Sequence, residues 1–201
     1  MIAVKPQLIA DVVPSYLPFI SESACVFSIA AGFSIDSLTK IVGKRPIIRM
    51  MPNLPAEIGK GVTGYFGNPE ASPGDDELAK LLTESIGLSL QVLQEEDLDK
   101  VTAVAGSGTG YAFEIIRCWI QAAESIGLSA DTSREVVLAT IGGAVDLASV
   151  KSNSIEHLRN SVTSPNGTTA AGLAELRKDE SMEKLIKATV DAALSRAIEL
   201  R

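Results

Sequence analysis

The segment Val162-Thr163-Ser164-Pro165-Asn166-Gly167-Thr168-Thr169-Ala170-Ala171-Gly172-Leu173 holds the residue types best suited to gripping a small anion. Pro165 ends the helix before it, and Asn166-Gly167 makes a tight turn. Thr168 or Thr169 then caps a new helix. The small residues there leave backbone N–H groups uncovered, with two hydroxyls beside them. Free N–H donors at the positive end of a helix dipole suit a carboxylate or a phosphate. A plain turn followed by an N-cap is the other reading of the same string.

Three further segments bear on chemistry. Ala105-Gly106-Ser107-Gly108-Thr109-Gly110-Tyr111 resembles a dinucleotide loop, but the third glycine of GxGxxG falls on Tyr111. Nor does Ser107 sit in a GxSxG elbow. The glycines instead let a long helix begin close against another backbone. Arg49, before the rigid Met51-Pro52-Asn53-Leu54-Pro55 turn, reads either as a ligand arm beside a sheet or, by default, as a surface arginine. His157 is the chain's single histidine and lacks a paired nucleophile, so it reads as a surface or interface side chain. One histidine excludes a multi-histidine metal site, and no Cys/His/acid cluster has zinc spacing. Cys25 and Cys118 lie far apart inside apolar runs, which predicts buried, inert thiols in a reducing compartment.

The elements that must position these segments change period part-way along the chain. Ile2-Ala3-Val4, Cys25 to Ala30 and Pro46 to Met51 are short apolar runs separated by helical stretches. That pattern indicates parallel strands buried on both faces. Residues 7–21 read as helical but broken at Pro14 and Pro18, and Ser34 caps a helix to about Val42. Gly61 to Phe66 and Leu88 to Leu93 add strands, and Ser72-Pro73-Gly74-Asp75 carries a capping box between them. From about Glu95 the period is helical throughout. Helix 110–126 is apolar around most of its girth, with Phe113, Ile116, Trp119, Ile120 and Ala123. Thr132 with Glu135 opens a helix uncharged from Val136 to Val145, and a last helix spans Ser181 to about Leu200. Gly142-Gly143 predicts close approach of a neighbouring helix. The expected division is therefore 1–94, an α/β domain, and 95–201, an all-α domain. So much apolar helical surface calls for a second copy, most simply a symmetric dimer, with an ordinary monomeric bundle as the other reading.

Composition sets the remaining bounds. The chain has 201 residues, 46% hydrophobic and 21% charged, with a formal net charge of −7. With five Phe, three Tyr and one Trp, the core must come mainly from Ala, Leu, Ile and Val. Interspersed acids and bases with a negative excess argue against nucleic acid. The start lacks the pattern of a signal peptide, and no uncharged apolar run reaches the ~20 residues of a membrane span. The expectation is a soluble cytoplasmic protein.

Five segments in this order resemble the pyrroline-5-carboxylate reductase family: Ala3-Val4-Lys5-Pro6-Gln7, Ile29-Ala30-Ala31-Gly32, Arg49 to Ala56, Gly106-Ser107-Gly108 with Tyr111, and Val162 to Leu173. The resemblance implies a Rossmann-like parallel sheet, here partial, followed by a helical dimerisation domain. It implies hydride transfer from NADPH, or NADH, to a cyclic imino acid, L-1-pyrroline-5-carboxylate, giving L-proline. It places Ala3, Val4, Lys5, Pro6, Ile29, Ala30 and Ala31 along the cofactor. Ser164, Gly167, Thr168 and Thr169 would hold the substrate carboxylate, with Val162 lining the ring pocket and Glu95 near the substrate. The hydride comes from the cofactor, so the protein mainly orients two rings, and no side chain is assigned as acid or base.

This sequence departs from the family pattern at Thr109-Gly110, Asn166, Ser152-Asn153-Ser154 and Ser161. Asn tolerates the left-handed conformation, so the turn at Asn166 can survive. Met1 to Val4 corresponds to the family's fourth strand, which leaves about sixty residues, two units of ~30, without a counterpart here. The expectation for the chain as written is a folded helical dimer with an open apolar strand edge and little or no reductase activity. Two alternatives stay open: a non-catalytic dimerising remnant, and a paralogue that reduces another cyclic imino acid.

Overall fold

The computed structural model describes residues 1–201. They fall into two compact units, Met1–Gly110 with Val190–Arg201, and Tyr111–Thr189.

The first unit is built on a four-stranded sheet, β1 (Val26–Ser28), β2 (Ile47–Pro52), β3 (Gly61–Gly67) and β4 (Gly87–Gln91), in the order β1-β2-β3-β4. Helices α1 (Ile9–Val12) and α2 (Ile35–Val42) precede β2, and α3 (Pro73–Glu84) joins β3 to β4. β1 pairs with β2, and β3 with β4, in parallel. The middle pair, β2 and β3, is antiparallel, which corrects the expectation of a wholly parallel sheet. A parallel crossover takes about a dozen residues or more. The Asn53–Lys60 connection is shorter and filled by a 3₁₀ turn over Leu54–Ile58, so the chain can only double back. The first segment is also less strand-like than its apolar run suggests. A single parallel bridge joins Ile2 to Ser28, because a 3₁₀ turn begins at once at Pro6. Pro14 and Pro18 do interrupt helix as expected: α1 is one turn long and passes into a 3₁₀ stretch over Val13–Phe19.

Alternation along the strands sorts the core into two layers. Val26, Ala30 and Ile47 pack with Ile9, Val13, Leu38 and Val42 from α1, α2 and the 3₁₀ stretch. Phe27, Ile48, Met50 and Tyr65 face the other way, onto Ala79 of α3. Both predicted caps hold here. Ser34 Oγ accepts from Ser37 N at the start of α2, and Ser72 with Asp75 forms a complete capping box on α3. Cys25 lies half-buried beside the second layer, and burial with the nearby Asp75 and Asp76 carboxylates pushes its thiol up to about 12.

After α4 (Asp97–Val101) the chain makes one π-helical turn, Thr102–Gly106, and enters α5 (Gly108–Ser125). The second unit comprises most of α5, then α6 (Ala130–Val150), α7 (Ile155–Ser161), α8 (Thr168–Leu176) and the start of α9 (Ser181–Glu199). Two caps differ from expectation. Ser129, not Thr132, caps α6, because helix geometry is already established at Ala130 and Thr132 N donates to Ser129 Oγ at 3.2 Å. Gly167, not a threonine, is the N-cap of α8. Cys118 is exposed rather than buried, because it shares the polar stripe of Glu114 and Arg117 on α5.

The two clusters of buried core residues both belong to the first unit. In the second, Phe113, Trp119, Val136, Val145 and Leu147 remain exposed, and only Ala123, Ser133 and Val137 are buried. A Cβ added at Gly142 or Gly143 would meet nothing within 4 Å, so the neighbour expected there is not another part of this chain.

Candidate active site

Hydrogen bonding sets two segments side by side at the carboxyl ends of the parallel strands. Ile2 N donates to Phe27 O at 2.7 Å, and Ile29 N to Ile2 O at 3.0 Å. This carries Lys5-Pro6 and Ile29-Ala31 out of the sheet together. Ser28 is fully buried, and its Oγ accepts from Ala30 N, fixing how β1 ends. Gly32 then turns the chain at φ +70°, where an L side chain is strained. The resulting crevice, about 430 Å³, is lined by Pro6, Gln7, Ala31, Gly32, Phe33 and Leu200. A crevice outside the carboxyl ends of parallel strands is where α/β sheets take ligands.

The residues expected along a cofactor divide around this crevice. Pro6 and Ala31 line it, and Lys5 is exposed next to it. Val4, Ile29 and Ala30 support it from the core layers. Ala3 and Val4 also line a second, apolar hollow of about 350 Å³, with Val12, Tyr16 and Phe19.

Arg49 corrects a sequence expectation. Far from being a surface residue, it is 2% exposed on β2. Its Nη1 donates to Glu95 Oε1 at 2.7 Å, and its Nη2 lies 3.9 Å from Asp99 Oδ1. The same Glu95 oxygen accepts from Ile35 N, the first amide of α2. Glu95 thus ties a strand, a helix start and the approach to α4 together. Asp99 is also buried, and burial raises its carboxyl above the usual aspartate range despite the flanking Arg201 and Arg49 guanidiniums. Arg201 Nη1 reaches Asp99 Oδ2 at 3.2 Å and Glu96 Oε1 at 3.4 Å. Asn53 clamps the neighbouring turn: its Oδ1 accepts from Val62 N, and its Nδ2 donates to Ala105 O. Sequence reasoning missed Asp99, Arg201 and Asn53. The spacing of Glu95 and Asp99, one helical turn apart, was the available signal for the first.

In the helical unit the Asn166-Gly167 turn forms as expected, although Gly167 rather than a threonine is the N-cap of the helix after it. Gly167 N donates to Ser164 O at 3.0 Å, closing a turn in which Asn166 holds φ 59°. A Cβ at Gly167 would collide with the Ser164 hydroxyl. No side chain caps α8, and Thr168 and Thr169 stand exposed on its first turn. The first helical amides, which have no intrahelical partners in any helix, therefore also lack a side-chain acceptor from the cap. Val162, the C-cap of α7, is exposed and lines an apolar hollow of about 260 Å³ with Ala144, Leu147, Ala148, Ile155 and Leu158. Val162, Ser164, Gly167, Thr168 and Thr169 are brought together in the second unit, whereas Glu95 sits in the charge network of the first.

A four-stranded mixed sheet with a strand-end crevice in one unit, and helices with an uncapped turn at Gly167 in the other, make this a two-part chain, α/β and all-α. The sequence model of the pyrroline-5-carboxylate reductase dimerisation family matches residues 95–200. A Bacillus subtilis protein named pyrroline-5-carboxylate reductase 2 is 36% identical over 202 residues, covering 100% of this chain and 72% of that protein. The Pseudomonas aeruginosa pyrroline-5-carboxylate reductase is 35% identical over 201 residues, 73% of its length. Among solved structures, the Coxiella burnetii enzyme superposes with a TM-score of 0.91 at 34% identity, over 98% of this chain and 74% of that one. The Plasmodium falciparum enzyme, solved with NADP bound, gives 0.89 at 30% identity over 98% and 79%. The chain belongs to the pyrroline-5-carboxylate reductase family.

Proposed function

We propose that this protein serves the reduction of L-1-pyrroline-5-carboxylate to L-proline in the cytoplasm, with NADPH, or NADH, as hydride donor and a homodimer formed through residues 95–201. The observation that carries the reading is the strand-end crevice walled by Pro6, Ala31 and Gly32, in a chain of this family whose α8 N-terminus, in the other unit, has no side-chain cap. The crevice fits the nicotinamide end of such a cofactor, being largely apolar and backbone-walled. NADPH, when bound, supplies the hydride.

The rest falls to the protein's own groups. Pro6 and Ala31 confine the crevice, Lys5 stands exposed beside it, Val4, Ile29 and Ala30 back it from the core layers, and Ala3 lines the second, apolar hollow. The amides of Thr168 and Thr169, their hydroxyls and the Ser164 hydroxyl hold the substrate carboxylate, and Gly167 keeps that approach clear. Val162 offers an apolar surface to the ring. Glu95 acts near the substrate through its grip on Arg49 and α2 rather than by proton transfer. The substrate arrives as an iminium, its nitrogen already protonated, so hydride addition to the C=N carbon completes the amine. Holding both rings in register then lowers the barrier without an acid or base on the protein. Open apolar helix faces in the second unit support the dimer.

The test is a spectrophotometric assay of NADPH oxidation by the purified protein with pyrroline-5-carboxylate, with a six-membered imino acid alongside. Turnover of the five-membered substrate supports the proposal. Turnover of the six-membered one alone would favour the paralogue, and no imine-dependent oxidation would favour a non-catalytic dimer.

A further inference from the structure

The end of α9 returns to the sheet unit, where its last two residues do two different things. Leu200 is one of six residues lining the strand-end crevice, and its backbone comes close enough to Gly32 that a Cβ there would sit 2.8 Å from Leu200 O. Arg201, next to it, has its side chain only 27% exposed and carries its guanidinium into the buried acids, 3.2 Å from Asp99 Oδ2 and 3.4 Å from Glu96 Oε1. Asp99 in turn faces Arg49, whose other partner, Glu95, holds the first amide of α2, three residues beyond Gly32. One charge network therefore fixes both sides of the crevice mouth: the Gly32–Ile35 side through Glu95, and the Leu200 side through Arg201.

We infer that Arg201 is a positioning residue for the crevice, a latch that holds Leu200 against Gly32 as a wall for the ligand's ring. The inference rests on the proposed cofactor reading for what occupies the crevice, but the latch itself rests on the ion pairs and the close approach. The network is chemically suited to the task. Asp99 is buried and needs a cation, so Arg201 is drawn inward rather than left in solvent. Gly32, already at φ +70°, lets the backbone of Leu200 come within contact distance.

Hydrogen exchange read by mass spectrometry, with NADPH titration of the same samples, tests both parts. Arg201→Gln should raise amide exchange over residues 31–36 and 198–200 by roughly tenfold and leave the α3 amides unchanged. It should weaken NADPH binding by about three- to tenfold, and Arg201→Lys should restore most of both, because the charge returns to Asp99. Leu200→Ala, which keeps the ion pairs, should weaken NADPH binding without raising exchange at Ile35. Unchanged exchange at 31–36 in Arg201→Gln would overturn the latch, as would uniform loss of protection across the sheet unit without rescue by Arg201→Lys. If NADPH fails to protect residues 31–36 in the unaltered protein while Arg201→Gln still loosens them, the latch stands and the cofactor reading of the crevice falls.

Discussion

Replacing Glu95 by Gln removes one negative charge from beneath α2 and leaves everything else nearly isosteric. Arg49, 2% exposed, then keeps only Asp99, at 3.9 Å, as a charged partner. Taking one member from a buried ion pair costs about 3–5 kcal/mol, since the remaining charge stays desolvated. Two features soften that figure. The amide oxygen of Gln still accepts from Ile35 N and Arg49, preserving hydrogen bonds worth about 1 kcal/mol each, and Asp99 keeps part of the field. The expected loss is about 2–3 kcal/mol. With a urea slope of about 1–3 kcal/mol/M, the midpoint should fall by about 1 M. Far-UV circular dichroism in urea, at one fixed protein concentration, measures it. Arg49→Met in the Glu95→Gln background should cost much less than in the native background, because the orphaned cation is then gone. A Glu95→Gln midpoint within about 0.2 M of the native protein, where the slope allows no more than about 0.6 kcal/mol, would refute the claim that Glu95 works by holding Arg49 and α2.

Other outcomes follow from the same geometry. Thr169→Val in the active protein should raise the KM for the imino acid with kcat little changed, a loss of about 1–3 kcal/mol in carboxylate binding, measured by steady-state kinetics. Asn166 holds φ 59°, so Asn166→Val should cost about 1–3 kcal/mol of stability by thermal melting, and Asn166→Gly should be neutral or nearly so. Burial raises the Asp99 carboxyl, so the native state binds its proton more tightly than the unfolded chain does. The neutral acid's contribution is full below the ordinary aspartate pKa and is lost as pH rises through the higher folded value. Urea midpoints at several pH values should therefore fall less across that window in Asp99→Asn than in the native protein. Cys25, with its thiol pushed up to about 12, should resist iodoacetamide at mildly alkaline pH until urea is added, as peptide mass spectrometry would record.

Much of this is legible in the amino-acid sequence. Short apolar runs at Cys25–Ala30 and Pro46–Met51 became β1 and β2, and the Ser34 and Ser72 caps fell where hydroxyl chemistry puts them. Asn166-Gly167 made its turn because few other pairs tolerate that backbone. What escaped was set by non-local contact. Nothing adjacent to Arg49 reveals that carboxylates 46 and 50 residues later will draw it into the core. The reversal of β3 depended on the length of a connection rather than on the apolar pattern, which looks the same in either direction. Leu200 joined the crevice because α9 leaves one unit and ends in the other, a path no local signal encodes.

A bundle whose interior is limited to Ala123, Ser133 and Val137 has almost nothing to fold around by itself. In the proposed dimer its native form is a product of association, so that assembly and folding of residues 111–189 become one event governed by mass action. Dilution should act on it as a denaturant does, lowering the melting temperature with each decade of protein concentration. The sheet unit, which encloses two apolar layers of its own, should outlast it.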